Sequence, residues 1–363
     1  MLSNRAMISH ESLLWTLLLQ IPLVCSDIHV AHAPRLQTVD GREHQHPEVP
    51  DRARVIERAL VRANLATPIK PVVHADVTID EVHDPEYRRF IKNVCQEISE
   101  GACLTPRGIS LDPKALQSKD PAIRVGHYAF GQDAPLMRGT YRAAREACDI
   151  ALTGLDHVRN GARHVFALCR PPGHHAEYAR MGGFCYFNNA VVAAHSFSSQ
   201  GRVAMLDLDY HHGNGSQNLT YERADILYVS LHADPAFAYP GFSGWQEEVG
   251  VGAGEGYNAN FPLRAYLAIG EYLSSLEQAC EVVVAFDPDL VIVSIGFDTH
   301  TEDPIAQLSL DSCDFGRIAA CVDAMGLPTL HVLEGGYALD YLGESAMSYV
   351  QGLSPGTSSP MGH

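Results

Sequence analysis

The reactive side chains of this 363-residue sequence fall into a few short segments. Asp209 and His211 are the first pair to consider. In an extended backbone, residues i and i+2 share a face. One carboxylate oxygen and one imidazole nitrogen can therefore meet a single ion. Asp298, at the end of another apolar run, can supply a third ligand. Three protein ligands leave one position open, which is the pattern of a catalytic rather than a structural zinc. An isolated Asp-x-His is usually surface sequence, but this one ends a core strand. Two carboxylates and a neutral imidazole nearly cancel the charge of a dication. The ion is then a weaker Lewis acid, and the site needs a further group to polarise a carbonyl. Tyr337 follows Gly335 and Gly336 and can offer its hydroxyl to a developing oxyanion. His174 and His175 are adjacent, so a loop must present them. Pro171, Pro172 and Gly173 supply the break. One imidazole can take a proton from water and return it to a leaving amine. Each needs a partner to fix its tautomer, and Asp207 and Asn214 flank the ligand strand.

The elements that must position these residues are short apolar runs rich in β-branched residues. They lie at 71–74, 164–169, 202–207, 226–231, 290–295 and 329–333. Helical spacing separates several of them, at 140–160, 189–200, 266–286 and 315–325. Strand, helix, strand at this spacing predicts a parallel sheet between helices. The polar exceptions stand at the carboxyl ends of these strands, where open α/β sheets bind ligands. Four segments thus aim their reactive residues at one place. A further helix is predicted from Arg52 to Leu65, preceded by a polar surface loop from Asp40 to Asp51.

Composition sets the outer bounds. The charge is −17, from 26 Lys+Arg against 43 Asp+Glu. That field repels nucleic acid and anionic membrane and attracts a cationic small molecule. Nine cysteines without a Cys-x-x-Cys pair read as reduced thiols of a cytoplasmic protein. The apolar run from Leu13 to Cys25 is too short to span a bilayer, which needs ~20 residues. It contains Thr16, Gln20 and Pro22. Leu23 to Ser26 is read as a first core strand, with a signal peptide as the alternative. The division is then an extension over 1–21, one domain over 22–353, and a disordered tail over 354–363.

RPPGHHA at Arg170–Ala176, GGFCYFNNA at Gly182–Ala190, DLDYHHGNGSQ at Asp207–Gln217, SIGFDTHTEDP at Ser294–Pro304 and EGGY at Glu334–Tyr337 resemble the histone deacetylase superfamily. GHYAFGQDAPLMRGTYRAA at Gly126–Ala144 and GEGYNANFPL at Gly254–Leu263 look most like its bacterial acetylpolyamine amidohydrolase branch. The resemblance implies an arginase/deacetylase-like three-layer fold with a central parallel sheet of about eight strands. It implies a Zn²⁺ held by Asp209, His211 and Asp298. It implies His175 as general base and acid, His174 as an electrostatic partner held by Asp207, and Tyr337 on the scissile carbonyl. Gly183, Phe184 and Tyr239 would wall a narrow tunnel. A structural K⁺ would take Asp207, Asp209, His211, Ser230 and Leu231. Asn214 stands where many histone deacetylases have Asp. The polyamine enzymes hold a distal ammonium with acidic residues on an early loop; the stretch around Glu97, Glu100 and 101–109 resembles that loop poorly and does not place the contact.

The expected reaction is hydrolysis of an N-acetyl group from a cationic amine, acetylpolyamines first. A protein-lysine deacetylase using the same site is the alternative. A non-catalytic binding protein of this fold is the third reading. It is disfavoured because the ligands, the His pair and Tyr337 are all present. The amine, the acyl group and the oligomeric state, a homodimer included, stay open.

Overall fold

Strands buried on both faces are mostly apolar, and the central ones are so apart from His164, Asp207, Ser294, Thr329 and His331. The computed structural model describes residues 20–39 and 42–353. Its strands are β1 (Ile21–Val24), β2 (Leu36–Val39), β3 (Arg42–Gln45), β4 (Ala66–Ile69), β5 (His164–Ala167), β6 (Val203–Asp207), β7 (Ile226–Ala233), β8 (Asn258–Leu263), β9 (Leu290–Ile295) and β10 (Thr329–Leu333). Eight of them form one parallel sheet in the order β4-β1-β5-β10-β9-β6-β7-β8. The other two, β2 and β3, pair as a separate antiparallel hairpin. Every residue of β5, β6, β9 and β10 is buried.

The helices are α1 (Asp51–Arg62), α2 (Val77–Asp80), α3 (Pro85–Glu97), α4 (Pro121–His127), α5 (Thr140–Arg159), α6 (Asn189–Ser198), α7 (Asn214–Thr220), α8 (Ile269–Phe286), α9 (Asp314–Ala324) and α10 (Leu339–Gly352). Alternate strand residues feed two cores, as the pleat requires. Phe166, Leu206 and Val293 pack with residues of α1, α8, α9 and α10. Val165, Met205 and Ile292 pack with residues of α3, α5 and α6. This is the three-layer arginase/deacetylase-like arrangement. The strand order brings β5, β10, β9 and β6 side by side. The loops that leave their carboxyl ends therefore open onto one crevice.

Several elements depart from the sequence reading. The run at 71–74 is not a strand. The Val72 amide donates to Thr153 Oγ1 at 3.0 Å and the His74 amide to Asp149 Oδ1 at 2.8 Å, both on α5. The strand is instead β4, just before it. β8 carries Asn258, Asn260 and Pro262, which hide its strand character, but proline is tolerated at a sheet edge. The segment from Asp40 to Asp51 is not all surface loop. It contains β3, and His46 and Glu48 are buried. α8 begins after Tyr266, whose φ of 54° ends the preceding loop in left-handed backbone. β1 starts at Ile21, within the segment assigned to the extension. Residues 1–19, with the start of the Leu13–Cys25 run, and the tail lie outside the described residues. Among the described residues no helix is long and apolar enough to cross a membrane. All nine cysteines are free.

Candidate active site

The loop after β6 brings Asp209 and His211 to the crevice, and the loop after β9 brings Asp298. His211 Nδ1 lies 3.1 Å from Asp298 Oδ2 and 3.3 Å from Asp209 Oδ1. Ligands of a tetrahedral zinc, with bonds of ~2.0–2.1 Å, stand about 3.3 Å apart. The donor set fits a divalent cation. The other carboxylate oxygens are held by backbone: Asp209 Oδ2 accepts from the Gly335 amide at 2.7 Å, and Asp298 Oδ1 from the Tyr210 amide at 2.9 Å. Both carboxylates are buried. Burial and the neighbouring Asp209 push the Asp298 carboxyl above the usual carboxylate range. Two anions in one dry site conflict, and a dication between them removes the conflict. Gly335 must be glycine here, because a β-carbon would collide with both carboxylates.

His174, Cys185 and Glu334 form a second group of metal-binding residue types, within 4.8 Å of one another. Internal hydrogen bonds already use these atoms. Glu334 Oε2 accepts from the amides of Gly173 at 2.7 Å and His174 at 3.1 Å. Cys185 Sγ lies 3.1 Å from Gly183 O. The group brackets the His loop onto β10.

That loop sets two imidazoles in different surroundings. His174 Nδ1 is 3.2 Å from Asp207 Oδ2, which also accepts from the Tyr228 hydroxyl at 2.9 Å. Burial lowers the His174 pKa, but the Asp209 and Asp207 carboxylates outweigh it and raise it to about 10. His175 Nδ1 is 2.8 Å from Asn214 Oδ1. Burial, then His174 and His211, hold His175 well below its usual value. One ring is thus biased towards the cation and its neighbour towards the neutral base.

Tyr337 ends the turn after β10 and is nearly buried. Burial pushes its hydroxyl well above the usual range, so it remains a donor. Its amide donates to Asp303 Oδ2 at 2.7 Å. Arg52 of α1 lies over its ring, 4.6 Å from the centroid. The same guanidinium donates to the carbonyls of Gly336 and Glu334, each at 2.5 Å.

Phe184 and Tyr239 stand on different sides of the crevice. The Phe184 ring meets Tyr337 edge-on at 5.8 Å, and Tyr239 meets His175 edge-on at 5.0 Å. Gly183 and Phe184 both have positive φ, 54° and 64°. The strain at Phe184 is local and turns its ring towards Tyr337. A β-carbon on Gly183 would strike the His175 ring. The Gly183 amide donates to Asp133 Oδ1 at 2.9 Å, and burial, then Asp133, push the Tyr239 hydroxyl well above its usual range. Asp133 thus braces the loop that carries Gly183, and burial pushes its own carboxyl pKa up. Glu97 and Glu100 pair with Arg124 and Arg138. Ser230 sits beside Asp207 in the β6–β7 register, with Leu231 next to it, and Ser230 Oγ is 2.8 Å from His232 Nδ1.

A family model described as histone deacetylase domain matches residues 46–353. The chain belongs to the histone deacetylase family. It is a hydrolytic deacetylase. It is 40% identical over 336 residues to acetylpolyamine amidohydrolase 2 of Pseudomonas aeruginosa, covering 91% of this chain and 98% of that protein. It is 34% identical over 340 residues to the acetylpolyamine amidohydrolase of Mycoplana ramosa, covering 92% and 99%. The crystal structure of acetylpolyamine aminohydrolase from Burkholderia pseudomallei superposes with a TM-score of 0.87 at 34% identity, covering 92% and 98%.

Sequence reasoning did not single out four residues that touch the site of this deacetylase. Arg52 and Glu48 sit in a stretch read as a helix start and a surface loop. Their signal was an Arg and a Glu at (i, i+4) spacing, which is common on exposed helices. Asp303 and Asp133 lie inside quoted motifs, in SIGFDTHTEDP and GHYAFGQDAPL, but no spacing rule separates them from surface acids.

Proposed function

We propose that this deacetylase uses one zinc ion, held by Asp209, His211 and Asp298, to hydrolyse N-acetylated cationic alkylamines, acetylpolyamines first among them. One observation carries the reading: three metal-ligating side chains converge beside His175 and Tyr337 in a crevice walled by Phe184 and Tyr239. The acetylpolyamine amidohydrolases to which the chain is similar support the substrate class. The aromatic walls suit an unbranched arm. The net charge of −17 suits an ammonium.

When bound, zinc supplies a Lewis acid that polarises the amide carbonyl and acidifies water. Tyr337 donates its hydroxyl to the carbonyl oxygen as negative charge develops there. His175 keeps its proton on Nδ1, donated to Asn214 Oδ1, so Nε2 is free to accept. Nε2 takes a proton as the water oxygen bonds to the acyl carbon. It returns that proton to the nitrogen as the carbon–nitrogen bond breaks, giving acetate and the amine. His174, held by Asp207, contributes positive charge beside the reacting atoms. Asp207, Asp209, His211, Ser230 and Leu231 are proposed to hold a structural potassium, as the resemblance implies. Unchanged activity and melting after exchange of potassium for a large organic cation would count against that ion.

The test is to compare kcat/KM of the zinc-loaded protein on acetylputrescine, acetylspermidine and an acetyl-lysine peptide. The reading expects the polyamines to win by at least an order of magnitude. A preference for the peptide would replace it with the protein-lysine alternative. Asp298→Asn is expected to lose zinc and activity together, checked by elemental analysis. Full occupancy with intact activity would remove Asp298 from the ligand set.

A further inference from the structure

Asn214 poses a problem that the reaction above leaves open. An aspartate beside His175 would offer only acceptor atoms, but an asparagine amide can present either its oxygen or its NH₂. The two orientations demand opposite tautomers. If Oδ1 faces the ring, His175 carries its proton on Nδ1 and Nε2 can accept. If Nδ2 faces the ring, Nδ1 must be bare, the proton moves to Nε2, and the base is disarmed.

The structure surrounds Asn214 with the group that decides. Asn214 Oδ1 is 2.8 Å from His175 Nδ1, and Asn214 Nδ2 donates to Glu177 Oε1 at 2.9 Å. The next acceptor of Nδ2, the His175 carbonyl, is at the long limit of 3.4 Å. A carboxylate cannot donate, so Glu177 accepts only the NH₂ end of the amide. Glu177 is itself fixed. Its amide donates to the Arg180 carbonyl at 2.9 Å, and Arg180 Nη1 lies 3.7 Å from Glu177 Oε2. Residues 175–180 thus fold back so that the chain carrying the base also carries the group that orients its partner.

We propose that Glu177 is a positioning residue that acts through Asn214 to hold His175 in the tautomer with a bare Nε2. The chain His175–Asn214–Glu177 then replaces a direct His–carboxylate pair with one relayed through an amide. It leaves the formal negative charge one side chain further from the imidazole, so the base is oriented without being made strongly basic. The inference rests on the reading of His175 as the proton acceptor.

The test is a double-mutant cycle on the zinc-loaded full chain, reading kcat, KM and the pH dependence of kcat/KM. Glu177→Ala is expected to lower kcat about 10–100-fold, the scale for partners that orient a reacting group from outside, with KM changed less than twofold. Glu177→Gln can still turn an amide oxygen towards Nδ2 and should recover most of that loss. In the Asn214→Asp background both outer atoms are oxygens and orientation is no longer at issue. There Glu177→Ala should cost nothing further, or raise kcat by relieving carboxylate repulsion. Equal losses in the two backgrounds, or an unchanged kcat and pH profile for Glu177→Ala, would overturn the proposal. His175→Gln is the control. If it abolishes turnover while the Glu177 variants match wild type, only the positioning role fails. If it keeps wild-type turnover, the reading of His175 fails and the inference goes with it.

Discussion

Tyr337 shows how much one side chain depends on its surroundings. Its hydroxyl is useful to the proposed reaction only as a protonated donor, and burial keeps it so. It lies beside carboxylates that already offset most of a dication's charge, so its share of carbonyl polarisation is large. Tyr337→Phe removes one oxyanion donor without changing the ring. It is expected to lower kcat by about 10²–10³. Single-turnover rates on an acetylated amine check this, with zinc content measured in parallel. Near wild-type rates in the zinc-loaded variant would exclude the hydroxyl from the chemistry.

At the scale of elements, the site is assembled by a clamp between α1, β5 and β10. Glu48, just ahead of α1, pairs with Arg52 Nη1 at 3.0 Å and with Arg170 Nε at 2.7 Å. Arg170 follows β5, and Arg52 reaches the turn after β10. All three side chains are fully buried. Burial alone would raise the Glu48 pKa, but Arg170 and Arg52 hold it at about 2. Removing one member of a buried ionic network strands the others and costs about 3–5 kcal/mol. Glu48→Ala should therefore lower the urea midpoint by the equivalent of that cost. It should also lower kcat, because Arg52 loses its anchor. A midpoint within error of wild type would mean that the two arginines do not need it.

At the scale of the molecule, buried neutral histidines set an acid limit. Burial holds His83 down at about 4, and burial with Arg170 holds His32 at about 3. His331 also lies well below its usual value, from burial and then His164. Unfolding returns each to about 6.5. The unfolded chain then binds more protons than the folded one between pH 6.5 and about 4. The stability these groups confer is complete above pH 6.5 and is lost as pH falls through that window. By pH 5.5 each costs about 1 kcal/mol. Melting temperature should fall steadily from pH 7 to pH 5. A flat profile would show that these rings take up protons as readily in the folded state as in the unfolded one.

The sequence by itself determined the alternation of buried strands with helices, the ends at which chemistry collects, and the segments that supply it. Those features are local: apolar runs force two-sided burial, and glycine, proline and polar residues mark where a strand stops. His174, His175, Asp209, His211 and Asp298 were legible for that reason. Tertiary structure alone decided the order β5-β10-β9-β6, which brings loops more than a hundred residues apart into one crevice. It also decided that Glu48 is buried, that residues 71–74 spend their amides on α5 instead of a strand, and that β8 completes the sheet edge. It decided that Glu177 faces Asn214. A charged residue reads as surface from sequence because an unpaired buried charge is costly. The partners that remove that cost lie far away in the chain.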